Sequence, residues 1–157
     1  MKITRNFDIL DQMVEKYNNE KALSVKRNGK WEYFSTNQYK QYADELSYGL
    51  LEMGFKKGDK ILTMSNNRPE WNFVDMGMGQ IGVAHVPVYT NLSDKELLYV
   101  IKHSDAKIVI TSTAEFYVKI KALVEDVPEV ENVFMFDDIS GAPSWLEIVE
   151  LGRDNKE

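Results

Sequence analysis

The 157 residues are 43% hydrophobic and 28% charged, the balance of one soluble globular domain with a core of its own, which excludes a disordered tail or a coiled coil. A formal charge of -6, a pI near 5.0 and the lack of a basic cluster argue against a nucleic-acid partner, which needs a concentrated cationic face to displace counterions. The absence of cysteine excludes disulfides, thiolate catalysis and Cys-based zinc sites, and two histidines leave little for a His-rich metal site.

The N-terminus is already acidic at Asp8 and has no apolar signal-peptide segment, so a cytoplasmic protein is the default expectation. Within residues 6–18, Phe7, Leu10, Val14 and Tyr17 recur on one face of an amphipathic lead-in helix. Residues 22–27 and 31–35 are β-prone runs around Asn28-Gly29-Lys30, and the Asn-Gly pair tolerates positive φ, which predicts a hairpin. Ser35-Thr36-Asn37-Gln38 fits a capping box. Tyr39, Tyr42, Ala43, Leu46, Leu50 and Met53 then continue at helical spacing until Gly54 ends the helix.

Residues 60–64 read as a short buried strand running directly into Asn66-Asn67-Arg68-Pro69. Pro69 suits a first helical turn and biases Arg68 away from helical angles, so the next helix starts there. It is apolar on nearly every side, which predicts burial between layers. Strands follow at residues 83–89, 106–111 and 131–137, with helices between them opened by S-x-x-E boxes at Ser93 and Ser112. Strands alternating with helices across short connections mean right-handed crossovers. The expected fold is α/β, a parallel sheet with helices on both faces in doubly wound βαβ units, preceded by a helix and a β-hairpin. Residues 138–157 read as a peripheral tail with one short helix at 145–151.

Gly77, Gly79 and Gly82 spell G-x-G-x-x-G. A dinucleotide loop needs a strand before the glycines and a helix after them, and here the order is reversed, so the triplet is expected to serve close helix-to-sheet packing and a turn. Residues 76–93 are uncharged over about eighteen positions, near the length of a membrane span. The glycines and Pro87 point instead to a buried helix, turn and strand. Ser140-Gly141-Ala142-Pro143 has no following lysine and reads as a surface turn. His85, in a strand expected to be buried on both faces, and His103, at a helix end, have no partner assignable from sequence and are read as structural. Arg68, Glu70 and Trp71 lie at the carboxyl end of a parallel strand, where ligands gather in open α/β sheets. The competing expectation is that Arg68 pairs with a carboxylate, Glu70 complements the helix dipole and Trp71 fills core.

The order of these elements resembles the N-terminal region of the AMP-forming acyl-CoA synthetases, the adenylate-forming superfamily. Phe34-Ser35-Thr36-Asn37-Gln38-Tyr39 with Ala43-Asp44-Glu45-Leu46 is similar to the T-Y-x-E-L helix region, and Lys57-Gly58-Asp59-Lys60-Ile61 to K-G-D-x-V. Asn67-Arg68-Pro69-Glu70-Trp71 resembles the N-R-P-E-W element of the long-chain fatty-acid–CoA ligases, Gly82 through Tyr89 the G-A-x-x-V-P-L strand, and Leu92-Ser93-Asp94-Lys95-Glu96-Leu97 the L-S-x-x-E-L helix start.

The resemblance implies a parent enzyme that uses ATP and Mg to turn a fatty acid into an acyl-adenylate and then passes the acyl group to CoA, in the cytoplasm or peripheral to a membrane. The family's Ser/Thr/Gly-rich loop, adenine segment and C-terminal lysine are not in this sequence, so no catalytic, cofactor-binding or metal residue carries over. The chain is expected to be a single subdomain, inactive alone, whose partners are the parent's remaining subdomains or, through an exposed apolar patch, a second copy. Asn67, Arg68, Glu70 and Trp71 are its candidates for substrate-side or subdomain contacts. The alternative is a stand-alone binding or dimerisation module.

Overall fold

Lys60–Met64 (β3) is an interior strand of a four-stranded parallel sheet in the computed structural model, which describes residues 3–155. Its neighbours are Ala84–Val88 (β4) on one side and Ile108–Thr111 (β5) on the other, with Asn132–Met135 (β6) beyond β5. Before the sheet come Asp8–Lys16 (α1), the hairpin Leu23–Arg27 (β1) and Lys30–Phe34 (β2), and Thr36–Glu52 (α2). Asn28 and Gly29 both take positive φ, 50° and 79°, so the hairpin closes on two residues and Lys30 pairs with Arg27 rather than joining the turn.

Pro69–Ile81 (α3), Asp94–Ser104 (α4) and Ala114–Val124 (α5) are the crossovers, and Trp145–Asp154 (α6) closes the chain. The period of two along the strands splits the interior into two cores. Ile61, Ile108, Ile110 and Phe134 face α2, α3 and α6, whereas Leu62, Met64, Val109 and Val133 face α4 and α5. The expected α/β architecture with helices on both faces is present. The capping boxes at Ser35 and Ser93 are both formed. The uncharged run of residues 76–93 is divided between α3, a turn and β4, and no helix among the described residues is long and apolar enough to cross a membrane.

Several expectations need correction. β4 is an edge strand with partly exposed residues rather than one buried on both faces, because the chain reverses its direction of winding after it. Pro87 already fits an edge, since it cannot donate to a neighbouring strand. The N-cap of α5 is Thr113, not Ser112: Ser112 still bonds the sheet through its N–H to Met64, so helical geometry starts one residue later. Tyr17 lies exposed past the end of α1 instead of on its buried face.

A further correction concerns the tail. α6 is part of the core, opened by a capping box between Ser144 and Glu147, and it buries Trp145, Ile148 and Val149. It crosses α2 at backbone contact. A Cβ on Gly49 would lie 1.8 Å from the Ile148 carbonyl oxygen, and one on Gly152 would lie 1.8 Å from that of Glu45. These two glycines let the helices touch, and the Glu45 carboxylate pairs with Arg153 across the same crossing.

The glycine triplet ends a helix, as its context requires, yet its members do different work. Gly77 packs α3 on α2 rather than on the sheet: an added Cβ would meet the Ala43 carbonyl oxygen at 2.7 Å and the Leu46 side chain at 2.8 Å. Gly82 takes φ 75° to cap α3 in the left-handed region. Gly79 has room, with Phe7 the nearest atom at 3.9 Å. Gly77→Ala should therefore lower stability by about 1–3 kcal/mol through overpacking. Gly79→Ala should leave it unchanged or raise it by about 0.5–1 kcal/mol through reduced backbone entropy of the unfolded chain. Paired urea unfolding curves check both, and equal losses at the two positions would refute the assignment.

Candidate functional site at the sheet switch point

From β3 the chain winds outward to β4, then α4 carries it back across β3 to β5. The carboxyl ends of β3 and β5 thus form the topological switch point, where an open sheet leaves a crevice. β3 runs there into Ser65-Asn66-Asn67-Arg68, and β5 runs into Ser112. The Asn66 N–H donates to Ser112 Oγ at 3.1 Å, and Arg68 Nη1 donates to the Ser112 carbonyl at 3.3 Å.

Arg68 is held extended at φ -160° and ψ 154° by the proline after it. Its side chain folds back over the start of α3. Nε donates to Glu70 Oε2 at 2.9 Å and Nη2 to Oε1 at 3.2 Å, a bidentate pair, while Nη1 reaches Asp137 Oδ1 at 2.8 Å. The guanidinium also lies 5.1 Å from the centre of the Phe136 ring. Glu70 accepts a further ion pair from Arg27, which bonds Glu32 at 2.7 Å. One network thus ties the hairpin, α3 and the ends of β5 and β6.

The Arg68 and Glu70 side chains are only 10% and 9% exposed. Burial alone would pull the guanidinium down and push the carboxyl up. The hydrogen bonds and charges they exchange, with Asp137 adding to Arg68 and Arg27 to Glu70, reverse both shifts and hold the pair ionised. Glu70 in the first turn of α3 also meets the positive end of the helix dipole.

Two of the clefts that border Arg68 hold the candidate residues. One, of about 330 Å³, has an aromatic wall that includes Phe34, Tyr42, Phe73 and Trp145, with Tyr42 and Phe73 stacked at 5.0 Å, and carries Arg68 and Glu70 on its lining. The other, of about 250 Å³, is lined by Ser65, Asn66, Asn67, Arg68, Trp71 and Asn72. All four candidates from the sequence therefore lie at one place. Arg68 and Glu70 pair with each other, and Asn67 and Trp71 share the polar cleft. Sequence reasoning missed Arg27, Ser112 and Asp137, each brought in from a distant segment.

Trp71 does more than fill space. Its indole N–H donates to Thr63 Oγ1 at 3.1 Å, and its ring lies 4.7 Å from that of His85. His85 Nε2 is 2.7 Å from the same hydroxyl, and Nδ1 is 2.8 Å from Asp75 Oδ1. With a neutral imidazole, Nδ1–H donates to the carboxylate and the threonine hydroxyl donates to Nε2. Carboxylate, imidazole and hydroxyl follow one another in the order of a catalytic triad. The Thr63 oxygen is nevertheless buried and already accepts the indole proton, so no substrate carbonyl can reach it. His85 thus has two side-chain partners, Thr63 and Asp75, that the sequence did not reveal. His103 is exposed and stacks on Tyr99 at 5.5 Å.

With this geometry in place, comparison with known proteins is informative. The family described as AMP-binding enzyme matches residues 10–154. The long-chain-fatty-acid–CoA ligase ACSBG1 of Rattus norvegicus is 26% identical over 148 residues, covering 91% of this chain and 20% of the relative. A crotonobetaine/carnitine–CoA ligase of Escherichia coli O1:K1 is 28% identical over 132 residues, covering 81% of this chain and 25% of the relative. The chain therefore spans a fifth to a quarter of the length of these relatives. The anthranilate CoA ligase AuaEII, solved with anthranoyl-AMP, superposes with a TM-score of 0.80 at 20% identity, over 94% of this chain and 27% of that one. The Mycobacterium smegmatis protein MbtA does so with a TM-score of 0.80 at 18% identity, again over 94% and 27%. At that identity the likeness is one of fold.

Three measurements test the site. Arg68→Ala leaves two carboxylates without their shared cation and should lower stability by about 3–5 kcal/mol in urea unfolding. Because the Glu70 carboxyl is depressed in the folded state, its contribution is complete above its ordinary value of 4.5 and is lost as pH falls through the lower folded value. The stability gap between the parent and Glu70→Gln should accordingly be widest near neutrality and narrow below pH 4.5. Thr63→Val should cost about 1–3 kcal/mol by stranding the indole N–H and His85 Nε2, whereas Thr63→Ser should recover most of it.

Proposed function

The chain belongs to the AMP-binding enzyme family, and from that premise we propose that it is the N-terminal subdomain of a long-chain fatty-acid–CoA ligase. What supports the long-chain branch is the N-R-P-E-W element, residues 67–71, seated at the switch-point crevice. The length relation to the long-chain relatives adds to this: nearly all of this chain aligns with about a fifth of theirs.

In such a parent, ATP converts a carboxylate that a thiol cannot attack into an acyl-adenylate with a good leaving group, and CoA then takes the acyl group. Neither glycine-bearing motif of the chain has the shape of a phosphate cradle. The glycine triplet closes a helix instead of opening one, and Ser140–Gly141 is a turn whose neighbour Pro143 bonds Met135. No step of adenylation is assigned to this chain, and ATP, Mg and CoA belong to the rest of the parent.

The role left to these residues is shape. All three guanidinium nitrogens of Arg68 are engaged by Glu70, Asp137 and Ser112, which leaves no free fork for a substrate carboxylate. Arg68 and Glu70 hold the crevice wall, and Asn67 and Trp71 present the polar cleft to a neighbouring subdomain or to the substrate side. Tyr89, 81% exposed just beyond β4, is a further apolar contact for such a neighbour.

ATP–pyrophosphate exchange dependent on a fatty acid is the direct test. The 157-residue chain should show none, and the parent enzyme containing it should show it. Exchange by the isolated chain would overturn the assignment of the chemistry elsewhere, and a parent active only on other acids would overturn the long-chain reading.

A further inference from the structure

Asn28 and Gly29 form the tip of the hairpin, and of the asparagines in the chain only Asn28 precedes a glycine. Asn28 is exposed. Among the described residues, neither its carboxamide nor the Gly29 N–H has a hydrogen-bond partner. A Cβ on Gly29 would meet nothing within 4 Å, so the surroundings leave space as well. Asn91 is also exposed, but Leu92 follows it, and a branched side chain there crowds the approach of the backbone nitrogen.

A free asparagine–glycine pair reacts with itself. The Gly29 backbone nitrogen gives its proton to solvent base and attacks Cγ of Asn28, forming a C–N bond. The Cγ–Nδ2 bond then breaks and the side-chain nitrogen leaves as ammonia, which closes a five-membered succinimide. Water opens the ring at either carbonyl. Attack at the former side-chain carbonyl gives aspartate, and attack at the main-chain carbonyl gives isoaspartate, whose main chain runs through Cβ and Cγ. Asn28 at φ 50° lies in the left-handed region, which turns the Gly29 nitrogen away from the carboxamide, so the ring closes only after the turn opens. A two-stranded hairpin is marginal alone. This one is held beside its turn by Arg27, which pairs with Glu70 at the start of α3.

We propose that Asn28 is a site of spontaneous conversion through a succinimide, that the Arg27–Glu70 anchor sets its rate, and that the isoaspartyl product frees the hairpin from the switch-point crevice. The two products act differently on the turn. Aspartate tolerates positive φ and keeps the two-residue loop. Isoaspartate adds a carbon to the main chain, and the closure that pairs Arg27 directly with Lys30 no longer fits. Arg27 stands at that closing pair, so losing the register there takes the guanidinium from Glu70 and one tie from the crevice wall. The reaction consumes only water and releases ammonia, and the inference does not rest on the ligase reading.

The test incubates the full 157-residue chain at mildly alkaline pH and follows it by mass spectrometry after cleavage at glutamate. Peptide 21–32 holds Asn28 as its single asparagine. It should show the amide-to-acid mass change, with isoaspartate detected by enzymatic methyl labelling, well before the peptide that holds Asn91. Glu70→Gln should speed the conversion about tenfold, the change in local opening expected from weakening one charge-assisted hydrogen bond. Gly77→Ala, which lowers stability away from the hairpin, should leave the rate unchanged. The separated isoaspartyl form should lose amide hydrogen-exchange protection in β1 and β2, whereas the aspartyl form and Asn28→Asp should keep it. Conversion no faster at Asn28 than at Asn91, an unchanged rate in Glu70→Gln, equal acceleration by Gly77→Ala, or full hairpin protection in the isoaspartyl form would each overturn the proposal. None of these results bears on the exchange assay, so the two readings fail separately.

Discussion

A guanidinium taken out of water demands a partner for every charge and nearly every N–H, and this demand at Arg68 organises the carboxyl end of the sheet. Desolvating one ion costs several kcal/mol, which only good geometry and further hydrogen bonds offset. Arg68 meets the requirement with a bidentate carboxylate, a second carboxylate, a carbonyl and an aromatic face, drawn from α3, the segment after β6, and the end of β5. Since those partners are far apart in sequence, satisfying one residue fixes the relative positions of three elements. Glu70 extends the constraint to a fourth through Arg27, so the hairpin, which as a two-stranded unit is marginal alone, is anchored to the body.

The layer beneath is built on contact between backbones rather than between long side chains. Gly49 and Gly152 let α2 and α6 meet with carbonyl oxygens where side chains would otherwise stand, and Gly77 does the same for α2 and α3. α2 is therefore the central helix of that face, flanked by the other two. Its aromatic residues Tyr39 and Tyr42 gather Phe73, and Tyr42 also meets Trp145, so that Tyr42, Phe73 and Trp145 stand in the wall of the larger cleft. The close crossings and the cleft are two results of one choice: small residues at the seams push the large rings to the end of the bundle, next to Arg68.

What could be read from the sequence was whatever local chemistry settles. Pro69 sets the start of α3 to the residue, two capping boxes set α2 and α4, and Asn28-Gly29 sets the hairpin. The positions that eluded reading depend on distant partners. Ser112 and Thr113 are equally able caps, and the choice falls to the one not already bonded into the sheet switch point. α6 carries Trp145, Ile148 and Val149 at helical spacing behind a capping box, but the glycines that decide its burial pair with α2 about a hundred residues earlier. At the site, Arg68 and Glu70 were visible as residue types in a suggestive place. Their pairing, rather than availability to a ligand, depended on Asp137, Ser112 and Arg27.

His85 shows where residue types, and even distances, stop being sufficient. Asp75, His85 and Thr63 have the sequence of contacts that activates a hydroxyl in an acyl-transfer enzyme. Activation, however, requires an oxygen lone pair directed at an accessible electrophile, and here the Trp71 indole proton takes that position inside the protein. The chain of bonds instead joins α3 to an edge strand, which has a neighbour on one side only and so gains most from side-chain ties across the layer. Trp71, from the motif that points to the enzyme family, closes this structural relay on one face and borders the polar cleft on the other. The motif residues thereby link the stability of the sheet edge to the shape of the crevice, so a substitution at Trp71 acts on both, and effects on activity in a parent enzyme have to be separated from effects on the β4 edge.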